Sequence, residues 1–160
     1  MEEYVHRGQL SFYVEPSQIR EIAVALKNEP SLTFEYLADI CAVDHLNNPR
    51  GAAGRFEVVY NFVSMIHSFR LLLRMRISES SKVPSLCADW HAANWLEREV
   101  YDLMGIEFDG NPDMKGAFLK PPDLEGQFPH RKDFGITYEI PQFSHNKDAP
   151  IVVVPENPNH

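Results

Sequence analysis

The stretch R-F-E-V-V-Y-N-F-V-S at residues 55–64, followed by F-R-L-L-L-R-M-R-I at residues 69–77, decides how this chain folds. Phe56, Val58, Tyr60 and Phe62 share one side of the first segment. Phe69, Leu71, Leu73, Met75 and Ile77 oppose Arg70, Leu72, Arg74 and Arg76 in the second. Strand side chains point to alternate faces, so a period of two over this length specifies an antiparallel hairpin with one face on a core. The three arginines on its other face require water or carboxylates.

Upstream, Leu10 to Val14 alternates as a short strand. Pro16 then stands where a first helical turn tolerates it, and Ile19, Ile22, Ala23 and Leu26 recur at helical spacing until Asn28 and Pro30 stop the pattern. Leu32 to Val43 is ambiguous: Phe34, Leu37, Ile40 and Cys41 read as a helix stripe, whereas Ala42-Val43-Asp44 could open a strand. His45 to Gly54 is a surface loop. Downstream, Lys82 to Leu86 is a connector containing Pro84, and a helix is predicted from about Asp89 to Gly105.

Beyond Gly105 the chain is punctuated by Gly110, Pro112, Gly116, Pro121, Pro122, Gly126 and Pro129, too often for regular structure. From Pro141 it is polar and proline-rich apart from Ile151 to Val154. Such a tail is costly to order alone and orders against a partner. The expected architecture is therefore α+β: a small, largely antiparallel sheet packed by helices, with a long irregular C-terminal extension. The expected division is a core domain at 1–105 and an extended docking segment at 106–160, one structural unit overall.

With 160 residues, 44% of them hydrophobic, the chain can bury a core without staples. Its formal charge of −8 repels nucleic acid and anionic lipid alike. Cys41 and Cys87 lack C-x-x-C spacing, so this chain alone cannot hold an iron–sulfur cluster; they read as two buried free thiols in a reducing compartment. The polar opening M-E-E-Y-V-H-R is no signal peptide. No segment spans a bilayer, since Val58 to Met75 is broken by Asn61, His67, Arg70 and Arg74.

The predicted helix carries the chemistry. Ala93, Leu96, Val100, Leu103 and Met104 form its apolar stripe, and Trp95, Arg98, Glu99 and Asp102 its other side. Arg98 and Asp102 are four residues apart and Trp95 lies one turn from Arg98, so a stacked and paired arrangement is available. A catalytic reading would use Glu97, Glu99 and His91, but Glu97 and Glu99 diverge and no nucleophile elbow or phosphate loop accompanies them. A metal reading fails for want of a second ligand near His91. A plain solvated face seldom carries a tryptophan. An arginine forked onto a carboxylate and resting on an indole suits a surface covered by another protein.

These residues also resemble a known family. Asn94-Trp95-Leu96-Glu97-Arg98-Glu99, then Tyr101-Asp102-Leu103-Met104-Gly105-Ile106 and Arg131-Lys132-Asp133-Phe134, look like the C subunit of the proton-pumping NADH:quinone oxidoreductase, the thirty-kilodalton subunit of respiratory complex I. The likeness runs from about Phe34 to Phe134. It departs at Asn111, where the family has His, at Lys115-Gly116 and at Gln127 to His130. The resemblance implies a subunit without catalytic or metal residues that binds no cofactor itself, with FMN and iron–sulfur clusters in partner subunits. It further implies that a C-terminal extension wraps over the forty-nine-kilodalton D subunit and that the chain sits peripherally on the cytoplasmic side of the cell membrane, held through the complex. The partner-binding residues expected on this basis are Trp95, Glu97, Arg98, Glu99, Asp102, Arg131, Lys132 and Asp133. Rival readings are a homologous brace in an energy-converting hydrogenase or F420H2-type dehydrogenase, a stand-alone acid–base enzyme, and an adaptor unrelated to redox work.

Overall fold

The structure, a computed structural model, describes residues 2–48, 53–114, 119–121 and 124–135. The expected tail beyond Pro141 and the Lys115-Gly116 departure lie outside these residues. The hairpin forms as its alternation demands: β4 (Phe56–Ser64) pairs antiparallel with β5 (Phe69–Ile77), Phe56 opposite Ile77 and Ser64 opposite Phe69. Around it the strands β1 (Glu2–His6), β2 (Gln9–Tyr13) and β3 (Tyr36–Asp44) complete a five-stranded sheet in the order β1-β2-β5-β4-β3. Among these described strands only the β2–β5 pair is parallel.

Phe56, Val58, Tyr60 and Phe62 of β4 and Leu71, Leu73, Met75 and Ile77 of β5 are all buried, with the helices packed over them. Burying each such large side chain contributes about 1.5–3 kcal/mol, so this one face supplies most of the drive to fold. Helix α1 (Ile19–Asn28) follows a short 3₁₀ turn begun by Pro16 and buries Ile19 and Ala23. The arginine face finds the carboxylate that charge balance requires: Arg76 Nη2 lies 2.6 Å from Glu57 Oε2, Arg74 Nε lies 2.6 Å from Glu57 Oε1, and Arg70 is exposed.

The ambiguous segment is β3. Leu37 and Ile40 are both buried although three residues apart, because the register shifts between Leu37 and Asp39 and resets the alternation. A bulge thus imitates helical spacing. The thiols are free but not both buried as expected: Cys41 faces outward on β3 and is exposed, and Cys87 is half-buried.

The second helix, α2 (Ala93–Met104), begins four residues later than expected. Asp89 to Ala92 forms turns instead, which lets Trp90 swing inward, donate from Nε1 to the Glu35 carbonyl at 3.0 Å and meet the Phe62 ring edge-on at 5.3 Å. The proline connector is a short strand, β6 (Lys82–Pro84), paired in parallel with β7 (Glu107–Asp109). That pairing carries the chain past Gly105 back into the core, where Ile106 and Phe108 are buried.

Candidate functional site

Helix α2 divides its charged residues between inside and outside. Glu97 is fully buried. Its carboxylate accepts hydrogen bonds from Ser85 Oγ at 2.7 Å, Leu86 N at 2.8 Å, Asn111 Nδ2 at 2.8 Å and Cys87 Sγ at 3.3 Å. Burial, opposed by a hydrogen bond with Ser85 and reinforced by Glu97, pushes the Cys87 thiol up to about 11, so it remains a donor at neutral pH. Asn111, read from the sequence as a departure from the resembling family, thus serves Glu97 with an amide N–H.

Asp102, read from the sequence as part of the outward side, is 1% exposed and accepts Leu119 N at 2.7 Å. Glu97 and Asp102 therefore tie α2 to the loops on either side of it.

Outward, Trp95 is 54% exposed and the Arg98 guanidinium lies 5.5 Å from its ring centroid. Glu99 and His91 are exposed, and Asn94 donates from Nδ2 to Asp113 at 2.8 Å. Glu97 and Glu99 do diverge, one into the core and one into solvent, so they do not form an acid–base pair here. Among the described residues no group of three or more His, Cys, Asp and Glu is placed to hold a metal ion.

The remaining sequence-predicted residues meet at the C-terminal end of α2. Gly105 adopts φ +73 and ends the helix with its N–H on the Tyr101 carbonyl at 2.8 Å. A Cβ there would stand 2.6 Å from Arg131 Nη2 and 2.6 Å from the Phe128 ring, so glycine is required by conformation and by space. Arg131 donates from Nε to the Met104 carbonyl at 2.7 Å, pairs with Glu79, and lies 4.3 Å from the Phe128 and 5.1 Å from the Phe56 ring centroids. It caps a helix end whose carbonyls lack intrahelical donors.

Next to it, Lys132 N donates to Asp44 Oδ2 at 3.0 Å, and Asp133 pairs with Arg55 at 2.7 Å. Burial alone would raise the Asp44 carboxyl, but hydrogen bonds from Arg55, Lys132 N and Leu46 N outweigh it and hold the group at about 2. Arg131 to Asp133 therefore clasp the strap after α2 onto the sheet of the same chain.

Sequence reasoning missed Asp44, Arg55, Glu79, Ser85 and Asn111, the counterparts that make these contacts. Only Arg55 and Asp44, bracketing a loop with no apolar stripe, offered a signal in the sequence. The others are ordinary polar residues whose roles depend on which element they fold against.

Fold and site together define a class: a small α+β protein whose second helix is pinned inward by buried carboxylates and presents a tryptophan–arginine face outward. The chain belongs to the respiratory-chain NADH dehydrogenase 30 kDa subunit family, whose family model matches residues 12–139. It is 41% identical over 127 residues to the NADH-quinone oxidoreductase C 2 subunit of Rhizobium meliloti, covering 79% of this chain and 66% of that protein. It is 41% identical over 143 residues to the NADH-quinone oxidoreductase C subunit of Roseiflexus sp., covering 89% of this chain and 79% of that one. Among solved structures it matches a trypsin-resistant fragment of Nqo5 with TM-score 0.61 and 36% identity, covering 66% of this chain and 83% of the fragment. It also matches a chain of the membrane-bound sulfane sulfur reductase, an archaeal respiratory membrane complex, with TM-score 0.73 and 27% identity over 94% and 90% of the two chains. No helix of the described residues is long and apolar enough to cross a membrane.

Proposed function

We propose that this chain is a cofactor-free structural subunit of a proton-pumping NADH:quinone oxidoreductase, and that α2 fastens it to neighbouring subunits, chiefly the forty-nine-kilodalton D subunit. The complex would pass electrons from NADH through FMN and iron–sulfur centres, all held by other subunits, to quinone. This chain would brace them from the cytoplasmic side. The observation that carries the reading is the division of α2: Glu97 and Asp102 are used up internally, while the half-exposed indole of Trp95 carries the Arg98 guanidinium on the outer side. Apolar area and a guanidinium stacked together on a surface are the composition of an interface anchor, and membership of the 30 kDa family supports a multisubunit respiratory complex as its setting. In this reading Trp95, Arg98 and Glu99 touch the partner, Glu97 and Asp102 hold the helix that presents them, and Arg131, Lys132 and Asp133 fasten their part of the C-terminal segment at 106–160 to the core.

The test is tagged purification of the assembled particle from cells carrying Arg98→Ala. Removing an arginine that pairs with a buried interfacial carboxylate typically costs about 2–5 kcal/mol of association, so recovered partners should fall at least ten-fold, a larger effect than on the melting of the isolated chain. Equal recovery would refute the assignment.

The likeness to the sulfane sulfur reductase complex favours a second reading, the same brace in a related machine with a different electron input. Mass spectrometry of the co-purified subunits separates the two: an NADH-binding flavoprotein supports the first, its absence beside a different redox subunit the second.

A further inference from the structure

We propose that residues 136–140 add a sixth strand to the main sheet, running antiparallel along the outer edge of β3. The chain then leaves the core at Pro141, and the segment after it is the part left to reach neighbouring polypeptides.

Among the described strands β3 pairs with β4 alone and forms one edge of the sheet. The His45 N–H donates to the Arg55 carbonyl at 2.8 Å. Bonded and unbonded pairs alternate along an antiparallel ladder, so Val43 and Cys41 also bond to β4. Asp44, Ala42 and Ile40 therefore turn their backbone N–H and C=O groups outward. Among the described residues no other backbone meets these groups. The strand is nine residues long and holds neither Lys nor Pro, the residues that commonly blunt an exposed edge. Such an edge gains from a strand that covers it.

The strap after α2 delivers a candidate to this place. Lys132 N donates to the Asp44 side chain, and a turn closes with Phe134 N on the Arg131 carbonyl at 3.1 Å. Four residues reach about 14 Å at most, so residue 136 starts near the C-terminal end of β3. From there a strand can follow β3 only in the antiparallel sense. The sequence I-T-Y-E-I at 136–140 alternates apolar and polar residues, with β-branched and aromatic side chains. Pro141 has no N–H to donate and stops the pairing.

The alternation also sets the register. Ile40, Ala42 and Asp44 lie opposite Tyr60, Val58 and Phe56, on the face that carries the core. Opposed residues share a face, so Ile140, Tyr138 and Ile136 pair with these three and turn their side chains toward α2. Helix α2 packs against β3. One flank of α2 faces β7: Asn94 accepts from Asn111, and Tyr101 lines a cavity with Phe108. Leu96 and Leu103 stand on the opposite flank by helical geometry, both half-buried, and gain cover from the added strand. Thr137 and Glu139 fall on the other face of the sheet, beside Val43 and Cys41. The later run I-V-V-V at 151–154 is apolar on both faces and suits a strand covered on both sides.

In this register exposed Cys41 lies opposite Glu139 in an unbonded pair, whose Cα atoms stand about 4.5 Å apart, a separation that a disulfide spans. The test introduces Glu139→Cys, Tyr138→Cys, Ile140→Cys or Val152→Cys into the tagged full chain. Disulfide formation with Cys41 under a mild oxidant is then followed by peptide mapping. Glu139→Cys should form this bond at least about ten-fold faster than the other three, because a paired strand points only that side chain at Cys41. Equal rates, a faster bond from any of the other three, or no bond to Cys41 overturns the proposal. Hydrogen exchange of the full chain gives a readout independent of cysteine. Tyr138→Pro removes the central N–H, so the Ile40, Ala42 and Asp44 amides should exchange at least about ten-fold faster than in the parent. The Cys41 and Val43 amides, bonded to β4, should not change. Unchanged exchange at Ile40, Ala42 and Asp44 also overturns the proposal. The α2 reading is decided separately, by the Arg98 comparison.

Discussion

Replacing Glu97 with Ala tests whether this carboxylate is a structural strut. The side chain is fully buried and accepts from Leu86 N, Ser85 Oγ and Asn111 Nδ2, each within 2.8 Å. The Leu86 N–H is fixed by the backbone and has nowhere else to turn, so its loss alone costs about 1–3 kcal/mol. Ser85 Oγ can rotate and Asn111, half-buried, can reach water, so each adds about 0.5–1 kcal/mol. These losses sum to about 2–5 kcal/mol, and the small cavity left by the lost packing adds to them. Urea denaturation of the purified full chain reads this directly as a lower midpoint at unchanged slope. Glu97→Gln should recover part of the loss, because its carbonyl still accepts while its NH₂ opposes one of the donors. An alanine variant that loses less than the worth of one ordinary hydrogen bond, about 0.5 kcal/mol, would mean that these contacts do not hold the helix. The division of α2 into inner and outer charges would then fail.

Other perturbations have equally definite outcomes. Gly105→Ala should cost about 1–2 kcal/mol from the left-handed backbone alone, and more because its Cβ would meet Arg131 and Phe128; limited proteolysis should then cut after residue 109 faster than in the parent. Asp44 contributes to the pH profile: its carboxyl sits at about 2 in the folded chain against an ordinary 3.8, so its stabilisation is fully present above pH 4 and is lost as pH falls toward 2. Asp44→Asn should therefore destabilise the chain by about 2 kcal/mol at pH 7 and flatten the acid limb of a stability-versus-pH curve. An unchanged acid limb would show that the clasp carries no net energy.

How far the sequence disclosed this molecule depends on the range of the interactions involved. The hairpin was legible because a period of two over nine residues is a local signal, and both strands form where it ends. Helix α1 was legible for the same reason. The Leu32 to Val43 segment was not, because a bulge at Ala38 depends on pairing with β4 and spaces Leu37 and Ile40 as a helix would. The two short strands β6 and β7 were illegible: each is three residues long, one contains Pro84, and they form only because they lie side by side.

At the site, the stack of Arg98 on Trp95 followed from helical spacing alone. The inward turn of Asp102 did not, because it depends on a hydrogen bond from Leu119 N, 17 residues away in sequence. Arg131, Lys132 and Asp133 were read as partner residues from the family resemblance. Their contacts with Met104, Asp44 and Arg55 join residues 27 to 88 apart in sequence, and no local pattern encodes them.

The central claim is that the outer side of α2 is covered by another protein. Hydroxyl-radical footprinting of Trp95, in the isolated chain and in the purified assembly, measures this directly by mass spectrometry. Trp95 is more than half exposed in the isolated chain, so it should oxidise readily there and at least several-fold more slowly once partners are bound, with the buried Trp90 as an internal control. Equal oxidation of Trp95 in both samples would contradict the account.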